Sequence, residues 1–277
     1  MKFPFAKLAL GFFGFILVGW VSARTTGRTT SLPGRQIGSN AMSAPVPVVV
    51  ELFTSEGCSS CPPADAFLAR LESQQPIPNT QIIALEEHVD YWNSDGWVDP
   101  FSSREWTLRQ QDYAETLKDN PYTPQLVVDG HAELVGSREA LARQAIATAS
   151  AQPKAHIALT LAPSGKPGVV QATISVDPPT GTQHSDKSDV WLAVTESGLH
   201  SSVTAGENAG SDLHHASVVR AFRKITTIDV NKAASYSGST PVHLDSSWRP
   251  QNVRVVVFVQ DKKSRQIVGA AAAAIQQ

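Results

Sequence analysis

The sequence predicts an α/β domain followed by an all-β domain, and a change of pattern along the chain leads to this expectation. Across residues 46–152, short apolar runs typical of buried strands alternate with segments of helical periodicity. Beyond about Pro153, apolar and polar residues alternate with a period of two, which indicates half-buried strands separated by polar turns. Residues 153–277 therefore predict a small β-sandwich-like domain.

The composition of the chain excludes several classes of protein. Its 277 residues suggest about two domains, and with 42% hydrophobic and 17% charged residues it does not resemble a long disordered protein. The net charge of -2 shows no basic excess, so we expect no nucleic-acid partner. The two cysteines are too few for a disulfide-rich scaffold or for a metal site built from four cysteines.

Residues 1–23 have the features of an export signal. Lys2 and Lys7 precede an apolar run over residues 8–21, and small residues follow where a signal peptidase would cut. The alternative is an uncleaved anchor, which would attach the protein to the inner membrane. Either way we expect the body of the protein to be exported to the periplasm or beyond. Residues 24–45, rich in Ser, Thr, Gly and Arg, are predicted to be a flexible tether.

The first domain, residues 46–152, begins with a predicted strand over 46–53 and a turn over 54–57. Cys58-Ser59-Ser60-Cys61 and then Pro62-Pro63 follow, and proline suits the first turn of a helix because its missing N–H costs nothing there. Ser137 is expected to cap the last helix of this domain. The other predicted elements are a helix over 64–73, a strand over 81–89, a helix over 103–117, strands over 125–129 and 132–135, and a helix over 139–149.

The second domain is interpreted as a recognition or docking module. Its predicted loop over 206–210 leads to His214-His215, and adjacent histidines on a strand point to opposite faces. We therefore expect these two histidines to pack or to form hydrogen bonds rather than to share one metal ion. Strands are predicted over 157–161, 170–176, 190–195, 218–225, 253–260 and 266–275, the last two joined by a polar hairpin over 261–264.

The element order β-α-β-α-β-β-α of the first domain resembles a thioredoxin-like domain. Cys58-x-x-Cys61 stands between the first strand and the first helix, and the Asp129-Gly130 hairpin follows the third strand. Thr123-Pro124 directly precedes that strand, where thioredoxins carry a cis-proline facing the cysteines. The fold class implied is an α/β thioredoxin-like domain followed by an all-β sandwich-like domain.

Three stretches are similar to one family of uncharacterised secreted bacterial proteins with a thioredoxin-like domain. They are Leu52 to Asp65, His88-Val89-Asp90-Tyr91-Trp92, and the segment from Gly206-Glu207-Asn208 to Val218-Val219-Arg220. This resemblance covers most of the chain after the tether. It implies no particular activity, because the function of that family is not established.

The cysteine pair is the candidate catalytic site. A helix N-terminus lowers the pKa of a cysteine, so Cys58, expected to be the more exposed, is predicted to be the nucleophile and Cys61 the resolving thiol. Pro124 is the predicted cis-proline beside them. Glu51, on the first strand, is a candidate to accept the proton of Cys61 if its carboxyl is buried, and an exposed strand-end carboxylate is the alternative.

Two other roles for the pair stay open. A permanent staple is a weak explanation, because the loop-entropy treatment gives so small a ring roughly 2 kcal/mol, against about 4.7 for a loop of 100 residues. Capture of copper or zinc by Cys58, Cys61 and His88 is the other, although no further ligand lies at finger-like spacing.

An aromatic segment between the second strand and the second helix predicts a binding surface. Tyr91, Trp92 and Trp97, together with Thr123, are the candidate substrate-binding residues, and Phe101 and Trp106 lie in the same segment. The alternative is that these rings only pack the insertion against the domain.

The function predicted from these features is that of an exported thiol–disulfide oxidoreductase acting on protein or small thiol substrates. No cofactor is expected. The alternatives are a non-catalytic binding protein that uses the aromatic segment and the β-domain, and the metal capture described above.

Overall fold

The computed structural model describes residues 44–177, 187–229 and 236–275, and strands predominate among them. The predicted export segment 1–23, and the tether except for its last two residues, lie outside this part of the chain. The described helices and strands are β1 Val46–Thr54, α1 Pro62–Gln74, β2 Thr80–His88, α2 Arg104–Leu117, β3 Gln125–Val128, β4 Ala132–Val135, α3 Glu139–Ser150, β5 His156–Pro163, β6 Val169–Asp177, β7 Ser188–Glu196, β8 Leu199–Ser202, β9 Asp212–His215, β10 Val218–Ile228, β11 Tyr236–His243, β12 Val253–Asp261 and β13 Ile267–Ala274.

Most of the strands belong to one mixed eight-stranded sheet in the order β13-β12-β7-β10-β2-β1-β3-β4. Strands β1 and β2 are parallel, and β3 runs antiparallel to β1. The sheet passes from β2 to β10 through a short parallel pairing, in which Val218 lies opposite Glu86 and the Glu86 N–H donates to the Ser217 carbonyl at 2.9 Å. Strands β11, β6 and β5 form a second sheet, and β8 pairs with β9.

This architecture shows that the predicted fold class was wrong. An α/β thioredoxin-like domain followed by a separate all-β sandwich-like domain is not found, because strands from 46–152 and from 153–277 lie in the same large sheet. The β-rich part of the prediction agrees with the structure. The physical reason for the error is that periodicity shows which face of a strand is buried, but not which strand its edge meets.

The individual elements agree well with the sequence pattern. The three helices and the strands predicted in both ranges are present, with bounds shifted by at most a few residues. The prediction that Ser137 caps α3 is wrong. Arg138 is the N-cap residue of this helix, and no side chain forms a capping hydrogen bond there. Strands β8, β9 and β11 were not predicted. No helix in the described ranges is both long and apolar enough to cross a membrane.

The large sheet is covered on both faces. Residues of α1 pack against Val48, Val50 and Leu52 on one face of β1, while residues of α2 pack against Val49 and Phe53 on the other. The three-stranded sheet covers β7 and β12 with a core rich in valine and isoleucine. Strands β1 and β2 are therefore buried on both faces, which places any charged residue on them inside the protein.

Arg109 of α2 lies at the centre of one buried charged group. Its side chain is 9% exposed. The guanidinium lies 2.5 Å from Glu51 Oε1 and 3.4 Å from Glu87 Oε1, and donates to Gln260 of β12 at 3.3 Å. Tyr113 donates to the other Glu51 oxygen at 2.5 Å. Burial, and next the Glu51 charge, raises the pKa of the Glu87 carboxyl well above its usual range. We call these five residues the Arg109 cluster.

Replacing Arg109 with methionine is expected to destabilise the fold by about 3–5 kcal/mol, because Glu51 would keep a buried charge without its partner. Equilibrium urea unfolding of the wild type and the variant measures this difference. The matched control is Arg143→Met, since Arg143 is partly exposed and its ion pair with Glu139 spans 3.9 Å. The control should lose less than about 1 kcal/mol. Equal losses in the two variants would contradict the central role given to Arg109.

Candidate functional site

Cys58 and Cys61 form a disulfide in the turn that connects β1 to α1. The Cys61 N–H donates to the Cys58 carbonyl at 3.2 Å, and Cys61 is the N-cap residue of α1. Pro62 and Pro63 occupy the first helical positions, as the sequence predicted. Because neither proline has an N–H, the helix start offers fewer free donors to a thiolate than an ordinary helix would.

Both cysteines are buried, with 1% of Cys58 and 0% of Cys61 exposed, whereas Ser59 and Ser60 between them are exposed. The expectation that Cys58 would be the more exposed cysteine finds almost no difference between the two in the disulfide form. A reagent can reach these sulfurs only after the local structure opens.

The loop over residues 203–211, between β8 and β9, lies against the disulfide turn. Asn208 donates from Nδ2 to the carbonyls of Glu56 and Cys58, at 2.8 and 3.0 Å. Glu207 accepts from the Ser59 N–H at 3.1 Å. These bonds join segments about 150 positions apart in the chain, so the 203–211 loop holds the turn closed.

A second buried charged group lies next to the turn, on the α1 face of the sheet. The Glu86 carboxylate is 2.7 Å from His215 Nδ1, and His215 Nε2 is 3.1 Å from Glu56. Asp99 is 2.7 Å from His88 Nδ1 and also accepts from the Glu56 N–H at 2.8 Å. We call Glu56, Glu86, His88, Asp99 and His215 the His215 cluster.

The members of this cluster change one another's protonation. Burial lowers the pKa of His215, but the Glu86 charge, and the hydrogen bonds that the imidazole donates to Glu56 and Glu86, raise it to about 11. Burial likewise lowers the pKa of His88, and the Asp99 carboxylate raises it to about 9. The charge of His215 outweighs the burial of Glu86 and lowers its pKa to about 2. Both imidazoles are therefore protonated and paired at neutral pH.

Asp65 lies one helical turn after Cys61 and is buried beside the same cluster. Thr54 donates to its carboxylate at 2.6 Å. Burial, and next the Glu86 charge, raises the pKa of Asp65 from 3.8 to about 7, although His215 partly offsets both effects. Asp65 is thus a buried acid that exchanges a proton near neutral pH.

The predicted catalytic residues fall into two groups in space. The Thr123-Pro124 bond is cis, as the resemblance implied, and Gly136 lies between Pro124 and Ala64 in the first turn of α1. Glu51 is buried, but it faces α2, on the opposite side of the sheet from α1. Its two oxygens accept from Arg109 and Tyr113.

The predicted substrate-binding residues form hydrogen bonds within the protein. Trp92 donates from its indole to Thr123 Oγ1 at 2.8 Å, and Trp97 donates to Glu56 at 2.7 Å. Tyr91 is 39% exposed. In the same segment, the Phe101 ring packs against His88 and His215, and the buried Trp106 packs against Phe222.

Sequence reasoning missed most of the His215 cluster and the 203–211 loop contacts. The prediction that His214 and His215 point to opposite faces is confirmed, since His214 is exposed and His215 is buried. Strand alternation also places Glu86 and His88 on one face of β2, and this signal was available in the sequence. The residues that pair with Glu86 and His88 lie far away in the sequence, and no local sequence pattern identifies them.

The stability of an Asp65→Asn variant is expected to depend on pH differently from that of the wild type. Because folding raises the pKa of Asp65, the native wild type binds the extra proton, and its stability falls as pH rises from about 4 to about 7. The variant lacks this loss, so its stability relative to the wild type should rise by on the order of 2–4 kcal/mol over that window.

Urea unfolding at several pH values, in buffer containing EDTA, measures this difference. Asp112→Asn, an exposed aspartate on α2, is the control and should leave the pH profile unchanged. A constant difference between Asp65→Asn and the wild type from pH 4 to pH 7 would contradict the assignment.

Comparisons with known proteins identify a family model that matches this chain and solved structures that have a similar fold. The family model described as a protein of unknown function, DUF1223, matches residues 49–260. A crystal structure of a protein from Agrobacterium tumefaciens is 24% identical, with a TM-score of 0.60, and the alignment covers 84% of this chain and 96% of that one. The structure of HBP35 from Porphyromonas gingivalis is 16% identical, with a TM-score of 0.59, over 84% of this chain and 76% of that one.

No match was found among curated proteins. The two solved structures share the fold with this chain, and at these identities they indicate nothing about its activity. The family match, in contrast, extends over most of the chain, from within β1 to within β12. It also confirms the sequence-based expectation of an uncharacterised family. The chain therefore belongs to DUF1223, a family of proteins of unknown function.

Proposed function

We propose that the protein is exported and catalyses thiol–disulfide exchange through Cys58 and Cys61, on protein or small thiol substrates. The observation that supports this best is that the disulfide joins two cysteines three positions apart in sequence, at the start of a helix. Such a small ring stabilises the fold by only roughly 2 kcal/mol in the loop-entropy treatment. A role in exchange explains the pair better than a role as a staple does.

The reaction proceeds through a mixed disulfide. A substrate thiolate attacks Sγ of Cys58, the bond between the two cysteines breaks, and its electron pair leaves with Cys61 as a thiolate. A second substrate thiolate then attacks the substrate sulfur and releases Cys58. The protein disulfide has gained two electrons and two protons, and the substrate dithiol has lost them and become a disulfide. The reverse sequence reduces a substrate disulfide.

We assign proton exchange with Cys61 to Asp65 rather than to Glu51. Residues four apart on a helix are neighbours, so Asp65 follows Cys61 on the same side of α1. Its pKa of about 7 suits a group that takes up and releases protons at neutral pH. Glu51 is held by Arg109 and Tyr113 on the other face of the sheet.

A Cys61→Ser variant is expected to accumulate mixed disulfides through Cys58, because the resolving thiol is missing. The measurement is mass spectrometry of adducts after the variant is incubated with a dithiol peptide and glutathione disulfide, with and without reductant. Cys58→Ser is the matched control and should form fewer adducts, because in the proposed mechanism the substrate sulfur bonds to Cys58. Equal adduct formation by the two variants, or none by either, would refute the proposed roles.

An Asn208→Ala variant is expected to be reduced by dithiothreitol roughly thirtyfold faster than the wild type. The substitution removes two buried hydrogen bonds, to the Glu56 and Cys58 carbonyls, and each contributes about 1 kcal/mol to the closed state, about 2 kcal/mol together. Samples taken over time under native conditions are quenched with excess iodoacetamide, and the alkylated cysteines are counted by mass spectrometry. Glu207→Gln is the control, because its contact with Ser59 is exposed and should change the rate less. An unchanged rate in Asn208→Ala would show that the loop does not limit access.

A further inference from the structure

We propose that Glu86, His88 and His215 form a binding site for a divalent transition-metal ion of the zinc class. One ligand atom from each of these three buried side chains lies within 4.8 Å of the others. Two imidazole nitrogens and one carboxylate oxygen are a ligand set that Zn²⁺ uses in proteins. The site contains no sulfur, so it does not depend on the thiol chemistry proposed above.

His88 is oriented as a metal ligand. Its Nδ1 is 2.7 Å from the Asp99 carboxylate, which directs the opposite nitrogen, Nε2, toward Glu86. That Nε2 is fully buried, lies 3.5 Å from Glu86 Oε1, and has no hydrogen-bond partner. Metal-binding histidines commonly present one nitrogen to the ion while the other donates to a carboxylate. An unpartnered buried nitrogen beside a carboxylate is otherwise costly.

His215 repeats this arrangement from the other side. Its Nε2 is 3.1 Å from the Glu56 carboxylate, and its Nδ1 is 2.7 Å from Glu86 Oε1. Both imidazoles therefore have an outer carboxylate and direct their inner nitrogen at the same oxygen atom. The other Glu86 oxygen accepts from the Ala216 N–H at 2.8 Å, which fixes the carboxylate and leaves Oε1 for an ion.

The three ligand atoms lie within 4.8 Å of one another, and the two distances to Glu86 Oε1 are near those around a zinc ion. Tetrahedral Zn²⁺ with bonds of about 2.0–2.1 Å holds its ligand atoms about 3.3 Å apart. The 3.5 Å from His88 Nε2 to Glu86 Oε1 is close to this value. The 2.7 Å from His215 Nδ1 to the same oxygen is a hydrogen bond, and it must lengthen when the ion displaces its proton.

The charge of the cluster also favours a divalent ion. Glu56, Glu86 and Asp99 bring three carboxylates into a buried volume, where positive charge is required. A divalent ion held between these carboxylates would supply that positive charge. Because an imidazole must give up the proton on its coordinating nitrogen to bind a metal, binding should release protons.

This site differs from the metal capture that the sequence suggested. Cys58 and Cys61 are bonded to each other and offer no thiolate, and only His88 is shared between the two sets. His200 and His214 form an exposed histidine pair near Asp212 and supply the same kinds of ligand at the surface. A His200→Gln, His214→Gln double variant is therefore the background in which the buried site is best measured.

Equilibrium dialysis of the full chain against Zn²⁺ tests the proposal, with the disulfide intact and prior metal removed by a chelator. In the surface-histidine background we expect one Zn²⁺ per chain, release of protons on binding, and a raised Tm. Mg²⁺, which prefers oxygen ligands, should not substitute for it. Adding His88→Gln or His215→Gln should weaken Zn²⁺ binding at least tenfold.

Two further experiments test the proposed zinc site even if the His88→Gln and His215→Gln variants fail to fold. In the surface-histidine background, a Cys58→Ser, Cys61→Ser variant should still bind one Zn²⁺, which separates this site from the proposed thiol chemistry. Co²⁺ bound to the wild type should give a visible spectrum without thiolate charge-transfer bands. The proposal is overturned if the surface-histidine background binds no Zn²⁺, if the cysteine variant loses it, or if Co²⁺ shows sulfur ligation.

Discussion

Strand β2 carries Glu86, Glu87 and His88 consecutively into the interior, and the rest of the structure depends on how those charges are paired. Because successive side chains on a strand point to opposite faces, Glu87 faces α2, whereas Glu86 and His88 face α1. A buried carboxylate without a partner costs several kcal/mol. His215 is the partner of Glu86 on one face. On the other face Glu87 lies 3.4 Å from Arg109, and burial, with the Glu51 charge next, favours its neutral form.

Each of these charged clusters takes a residue from the C-terminal part of the chain. Gln260 of β12 joins the Arg109 cluster, and His215 of β9 joins the other. The pairing of β10 with β2 joins the strands into one sheet and brings both segments near β2. The β-rich C-terminal part is thus a structural component of the candidate site as well as its cover.

The cysteine turn and the His215 cluster share Glu56, which stands two residues before Cys58. Its carboxylate is 3.1 Å from His215, and its carbonyl accepts from Asn208, which also holds the Cys58 carbonyl. Opening of the turn toward a substrate must therefore disturb an outer partner of the proposed metal ligands. Glu56 is thus shared by the disulfide turn and by the outer partners of the proposed metal ligands, although neither cysteine is itself a ligand.

The sequence by itself determined the elements with strong periodicity and the place of the cysteine pair, because local spacing encodes which face of a helix or strand is buried. It failed for β11, a polar edge strand containing Pro241, since proline and weak alternation lower any strand signal. Only the tertiary structure decided that β2 pairs with β10, that both sulfurs are buried, and that His215 reaches Glu86 across 129 positions. Such contacts depend on which edges and charges meet in space, and no local pattern carries that information.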